Sequence, residues 1–200
     1  MKQTTVILAT ILVLILNSCA SDDNPVQASL EAKQISNLYA PADVRDYQTG
    51  QIIEEREFVY FSFDSEGVVT QGDNWDIAFK GTTIIVNGGI HGNTQAAAAI
   101  VLGTFDEITE VSDATEFKQD TEIINAIPTG SGNGWYNYNP ANHDITPIPG
   151  RIILIKTHDG KYAKMEVLSY YKDMTANPAT EDYSYYTFNY VYQDNGSTTF

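Results

Sequence analysis

Residues 151–171 read RIILIKTHDGKYAKMEVLSYY, and the fold turns on how this stretch is read. Two runs rich in β-branched and aromatic residues flank Asp159-Gly160, and an Asp-Gly pair between apolar runs is a strong short-range signal for a tight antiparallel hairpin. In the second run Ala163, Met165, Val167 and Ser169 fall on one face, so Met165 reads as core filling. Downstream, YSYYTFNYVY at 183–192 has strand composition throughout, with Tyr186, Phe188, Tyr190 and Tyr192 on one alternate face. Upstream, WDIAFK at 75–80 sets Trp75, Ile77 and Phe79 against Asp76, Ala78 and Lys80. TTIIVN at 82–87 follows at once and stops at Asn87-Gly88-Gly89, residues that tolerate positive φ. REFVYFSFD at 56–64 is a further strand. QAAAAIVL at 95–102 is read as strand because its Ile-Val-Leu end outweighs the helix preference of alanine. Helix is expected only near 113–119, where Asp113 is followed three residues later by Glu116. The expectation is an all-β, antiparallel domain with long loops and at most one short helix. The longest loop, PTGSGNGWYNYNPANHDITPIP at 128–149, is rich in Gly, Pro and Asn and predicts an ordered loop or loosely paired ribbon.

The first 23 residues set the context. Lys2, an apolar run over 6–16 too short to span a bilayer, and Ser18 before Cys19 form a removable signal peptide over 1–18. Cys19, the single cysteine, stands where a bacterial lipoprotein is acylated, and each buried methylene of such a lipid adds about 0.8 kcal/mol of membrane affinity. Lipid on Cys19 leaves no thiol for a disulfide, so stability must come from an apolar core. Residues 19–36 read as a polar, lipidated tether and 37–200 as one β domain. The acidic Ser21-Asp22-Asp23 resembles the surface-export signal of Bacteroidetes-type lipoproteins, which implies an outward-facing outer-membrane location; a solvated linker without address function is the other reading. With 11 Lys+Arg against 26 Asp+Glu, the net charge is −15, which argues against nucleic-acid binding and against attraction of the body to anionic lipid.

Catalytic signatures do not emerge. The chain carries no G-x-S-x-G, no H-E-x-x-H and no Gly-rich phosphate loop ending in Lys-Ser/Thr, so the expectation is a binding protein and not an enzyme. Its three histidines have no zinc spacing. His158 sits in the Asp-Gly turn and reads as exposed; His91, after Asn87-Gly88-Gly89, also reads as solvent-facing. His143 lies in the long loop near Trp135, Tyr136 and Tyr138, an aromatic set suited to lining a flat apolar pocket. Met174, in a loop after the hairpin, is a further potential ligand whose other reading is plain exposure.

Asn74-Trp75-Asp76-Ile77-Ala78-Phe79-Lys80, the Thr83-Ile84-Ile85-Val86-Asn87-Gly88-Gly89 run, Gly134-Trp135-Tyr136-Asn137-Tyr138 and Asp159-Gly160-Lys161-Tyr162-Ala163-Lys164-Met165 together resemble the HmuY family of haem-binding lipoproteins. The resemblance covers about 57–192. It implies an all-β fold in which two loop regions grip haem or a related porphyrin and hand it, as a hemophore does, to an outer-membrane uptake system such as a TonB-dependent receptor. By the same resemblance His143 is an iron ligand, with Trp135, Tyr136 and Tyr138 beside it. The family's second histidine corresponds to a place within about 105–134, where this chain has neither His nor Met. The second ligand then comes from His91, Met174 or Met165, or the iron is held from one side, or the ligand is not haem. A surface module that recognises glycan or a partner protein through its tyrosines is the alternative function.

Overall fold

The computed structural model describes residues 30–176 and 182–200. The expected signal peptide, Cys19 and the first part of the expected tether lie outside the described residues. Among the described residues there are thirteen strands and one three-residue 3-10 turn. A five-stranded antiparallel sheet runs in the order β1 (Lys33–Tyr39), β13 (Tyr183–Gln193), β12 (Tyr162–Tyr171), β11 (Arg151–Lys156), β8 (Ala97–Leu102). A four-stranded sheet has the order β5 (Gly67–Val69), β4 (Val59–Ser62), β6 (Ile77–Lys80), β7 (Thr83–Val86). Two short ribbons complete it: β2 (Val44–Arg45) with β3 (Ile52–Glu54), and β9 (Tyr136–Asn139) with β10 (Asp144–Pro147).

The expected hairpin is β11–β12, with Ile153 opposite Met165 and Ile155 opposite Ala163. Its turn closes through Gly160 N–H donating to the Thr157 carbonyl at 3.0 Å, and Gly160 has a φ of +84°, where a side chain would be strained. The alternate face of β13 turns out to be the core face: Tyr186, Phe188 and Tyr190 are buried. They meet the other sheet through aromatic contacts, Phe79 with Tyr186 at 4.8 Å and Phe61 with Phe188 at 5.5 Å between centroids. Met165 is wholly buried in this core.

Four expectations are corrected. Trp75 does not share a face with Ile77 and Phe79: those two enter the main core, whereas Trp75 packs with Ala78 and Ile85 on the opposite face of β6. The strand begins at Ile77, and the bend at Asp76 breaks the two-residue parity. The helix near 113–119 is absent. Instead the Thr115 N–H donates to the Ser112 carbonyl in a turn, and Lys118 exchanges both backbone hydrogen bonds with Ala98, so sheet pairing wins over a short, unsupported helix. The tether expected to Ser36 ends earlier, because Lys33 already pairs with Tyr190 in β1. Finally, His158 is not an exposed turn residue. Its Nδ1 lies 2.8 Å from Oδ1 of the fully buried Asp76, the same oxygen that accepts the His158 N–H at 2.9 Å.

Candidate functional site

The long loop folds as the β9–β10 hairpin, with Tyr138 opposite Ile145 and Asn139 opposite Asp144. Residues 140–143 close it, and His143 adopts a φ of +64°, an unusual backbone for a side-chain-bearing residue. That turn brings the imidazole back to the strand it left: His143 Nδ1 is 2.5 Å from the Tyr138 hydroxyl. Two anchors place the hairpin. At its tip end, the Ile145 N–H donates to the Tyr171 hydroxyl at 2.7 Å, joining β10 to the end of β12. At its root, Arg151 of β11 donates to three carbonyls, those of Gly132, Asn133 and Gly134, each at 3.2 Å. A guanidinium presents several donors in a fixed fork, so one side chain can pin a whole bend of loop.

Between hairpin and sheets lies a cleft of about 650 Å³, within the roughly 300–1,000 Å³ of small-molecule sites. Tyr138, Asn142, His143, Asp144 and Ile145 form its hairpin wall. Tyr170 and Tyr171 from β12, Tyr183 from β13, Thr82 from the β6–β7 turn and Tyr47 from the β2–β3 turn form the rest. Five of the ten lining residues are tyrosines, so the cleft is aromatic with hydroxyl tips. Burial pushes the Tyr170 phenol up to about 12, against the opposing effect of its hydrogen bond with the Ser184 hydroxyl at 2.8 Å. Burial likewise raises Tyr171, opposed by the N–H it accepts from Ile145 and reinforced by nearby Asp144.

The expected site residues divide. Tyr138 and His143 come together in the cleft wall. Trp135 and Tyr136 do not line it: both are buried in the main core, Trp135 donating its indole N–H to the Thr82 carbonyl at 3.1 Å and packing its ring, tilted, against Tyr136 and Tyr170. They are the floor that supports Thr82 and Tyr170. Met174 borders a smaller adjoining cleft of about 200 Å³ that shares Asp144, Ile145, Tyr170 and Tyr171 with the larger one. His91 is elsewhere, its Nε2 3.9 Å from Oδ2 of buried Asp120 and its ring beside Phe58. Met165, in the core, is out of reach. The stretch at about 105–134, where the resemblance places the family's second histidine, borders a separate cleft of about 540 Å³ along β8, and no imidazole, thioether or phenol lines it. Among the described residues no group of three or more His, Cys, Asp or Glu is arranged to hold a metal ion. The sequence reading missed Tyr47, Tyr170 and Tyr171. The pairing Ser169-Tyr170-Tyr171 at a strand end was the available signal, since side chains there leave the core ladder and face whatever packs across the end.

Residues 54–190 match the family model described as HmuY protein. No curated protein matches the chain. Among solved structures, the apo HmuY analog of Tannerella forsythia is 18% identical, with 82% of this chain and 96% of that chain covered at a TM-score of 0.45. Apo PinO from Porphyromonas gingivitis is 16% identical, with 82% and 98% covered at a TM-score of 0.49.

Proposed function

The chain belongs to the HmuY family, and from that membership we propose that it is a surface lipoprotein that captures haem or a related porphyrin in the tyrosine cleft, without catalysis, and passes it to an outer-membrane uptake system. The observation that carries this reading is the Tyr138–His143 pair, held at the mouth of an aromatic cleft by the hairpin turn. A porphyrin is a flat apolar disc with carboxylate tails, so its site needs aromatic walls, a donor atom for iron and an open side. The cleft offers each: tyrosine rings, the Tyr138–His143 donor pair, and Tyr47, which is fully exposed at the rim. No Lys or Arg lines it, so carboxylate tails would point to solvent. Lipid on Cys19, which follows the signal sequence, would tether the domain to the outer membrane.

Haemin titration of the full chain tests this. A saturable change in the Soret region is expected, with quenching of tryptophan emission because Trp135 lies 5.9 Å from Tyr170 of the cleft wall. His143→Ala should weaken binding by about tenfold or more, equivalent to about 1.4 kcal/mol. Absence of any Soret change in the wild-type protein overturns the reading. The stacked Tyr39 and Tyr185, 4.6 Å apart on the β1–β13 ladder, favour the other reading, a glycan- or protein-binding platform. That reading predicts glycan-array binding lost on Tyr185→Ala and no response to haemin.

A further inference from the structure

We infer that the outer edge of β8, with the cleft beside it, is a docking site for an extended, basic strand of a partner protein, which adds itself to the five-stranded sheet. β8 is the last strand on that side of the sheet. Ala98 exchanges both backbone hydrogen bonds with Lys118, which fixes the direction of the ladder: Ala98, Ile100 and Leu102 turn their N–H and C=O outward, and Ala97, Ala99 and Val101 turn theirs to β11. Past Lys118 the edge is open. Among the described residues no group bonds to the outward N–H and C=O of Ile100 or Leu102. The remaining edges of the two sheets are blunted, as exposed edges need to be if chance pairing is to be avoided. β5 has three residues, β1 bulges at Asn37, and on β7 the Val86 N–H is taken by the Asp120 carboxylate at 2.8 Å. β8 carries none of these devices beyond Ala98.

Shape and charge name the occupant. The cleft of about 540 Å³ shares no residue with the tyrosine cleft, and its lining sets Ala98 and Ile100 of β8 beside Ile124, Ala126 and Pro128. Ile124 is 60% exposed, an apolar side chain left open to whatever enters. Over residues 104–125, the segment that flanks this edge, six exposed carboxylates (Asp106, Glu107, Glu110, Asp113, Glu116 and Glu122) stand against one exposed cation, Lys118. An added strand has a side-chain period of two, so its apolar positions can face the cleft while Lys or Arg on the alternate positions face the carboxylates. Main-chain bonds to Ile100 and Leu102 then supply affinity, and the charged rim supplies selectivity. A second copy of this chain, with its net charge of −15, would bring like charge to the same rim.

The test uses the full chain with two blocked peptides of about six residues, one alternating lysine with valine and one alternating glutamate with valine. The lysine peptide is expected to bind saturably, about tenfold or more tighter than the glutamate peptide, and more weakly as salt is added. Amide exchange at Ile100 and Leu102 should slow by about tenfold on binding, while exchange at Tyr138 and His143 stays as it was. Leu102→Pro removes an outward donor and no bond to β11, a change that an edge strand tolerates, so the denaturation midpoint should hold while peptide binding falls about tenfold. Glu116→Lys, an exposed change that leaves the ladder alone, should weaken the lysine peptide severalfold and narrow its lead over the glutamate peptide. No binding of the lysine peptide overturns the assignment, as does equal binding of both peptides or protection that falls outside Ile100 and Leu102. Self-association of the chain that protects these two amides without any peptide also overturns it, and gives the edge to a second copy.

Discussion

Asp76 has no exposed surface and accepts three hydrogen bonds, from Phe63 N–H at 2.8 Å and from His158 through its backbone N–H and Nδ1. It therefore joins the four-stranded sheet to the β11–β12 turn. Replacing it by Ala strands those donors in a dry site and should cost about 3 kcal/mol, read as a lowered denaturation midpoint. His158→Ala should cost less, because it leaves the carboxylate two N–H donors. Tyr170 contributes to the pH dependence alongside Tyr186, whose phenol is held by burial well above its ordinary value. The folded Tyr170 phenol titrates at about 12 while the unfolded one titrates near its ordinary 10. The stabilisation from keeping it neutral is thus complete below pH 10 and is lost as the pH rises toward 12, about 3 kcal/mol in all. Unfolding measured from pH 9 to 12 should show this decline, and Tyr170→Phe should lessen it while the other buried phenols, Tyr186 foremost, keep their share. At this scale the sequence was partly legible. His143 and Tyr138 stood out through the company they keep, but the partnership of Asp76 and His158 joins residues 82 positions apart and has no local signature.

Arg151 shows what the elements contribute. It begins β11, yet its guanidinium holds the 132–134 bend that leads into β9. Arg151→Ala should speed amide exchange across 130–136 by about tenfold while β11 and β12 keep their protection, since only the loop loses its anchor. Uniform loss of protection would contradict this. The strands that read clearly from sequence are those with an unbroken pattern: β11 and β12 about their Asp-Gly turn, and β13 with its aromatic face. The edge strand β1 did not, because KQISNLY is polar and a bulge at Asn37, φ +57°, breaks its alternation. Asn37 is instead spent on a tertiary bond, its Oδ1 accepting the Asp173 N–H at 2.8 Å from the turn that follows β12. The hairpin β9–β10 was expected only as an ordered loop or a loosely paired ribbon, and its register is set by anchors outside itself, Arg151 and Tyr171.

Across the whole molecule, the two sheets share one aromatic core and leave the cleft at the ends of β12 and β13, where tyrosines emerge from the ladder. The fold class was legible because β patterning repeats in many segments; the cleft was not, because its walls come from five separate stretches of chain. The second cleft, along the β8 edge, has comparable size but no imidazole, thioether or phenol in its lining. Location of the porphyrin therefore tests the account most directly. A crystal structure of the full chain with haemin is predicted to place the ring between the β9–β10 hairpin and the Tyr170–Tyr183 wall, with Tyr138 and His143 at the iron. Density for haemin in the β8-edge cleft, or elsewhere with these two residues untouched, would contradict it.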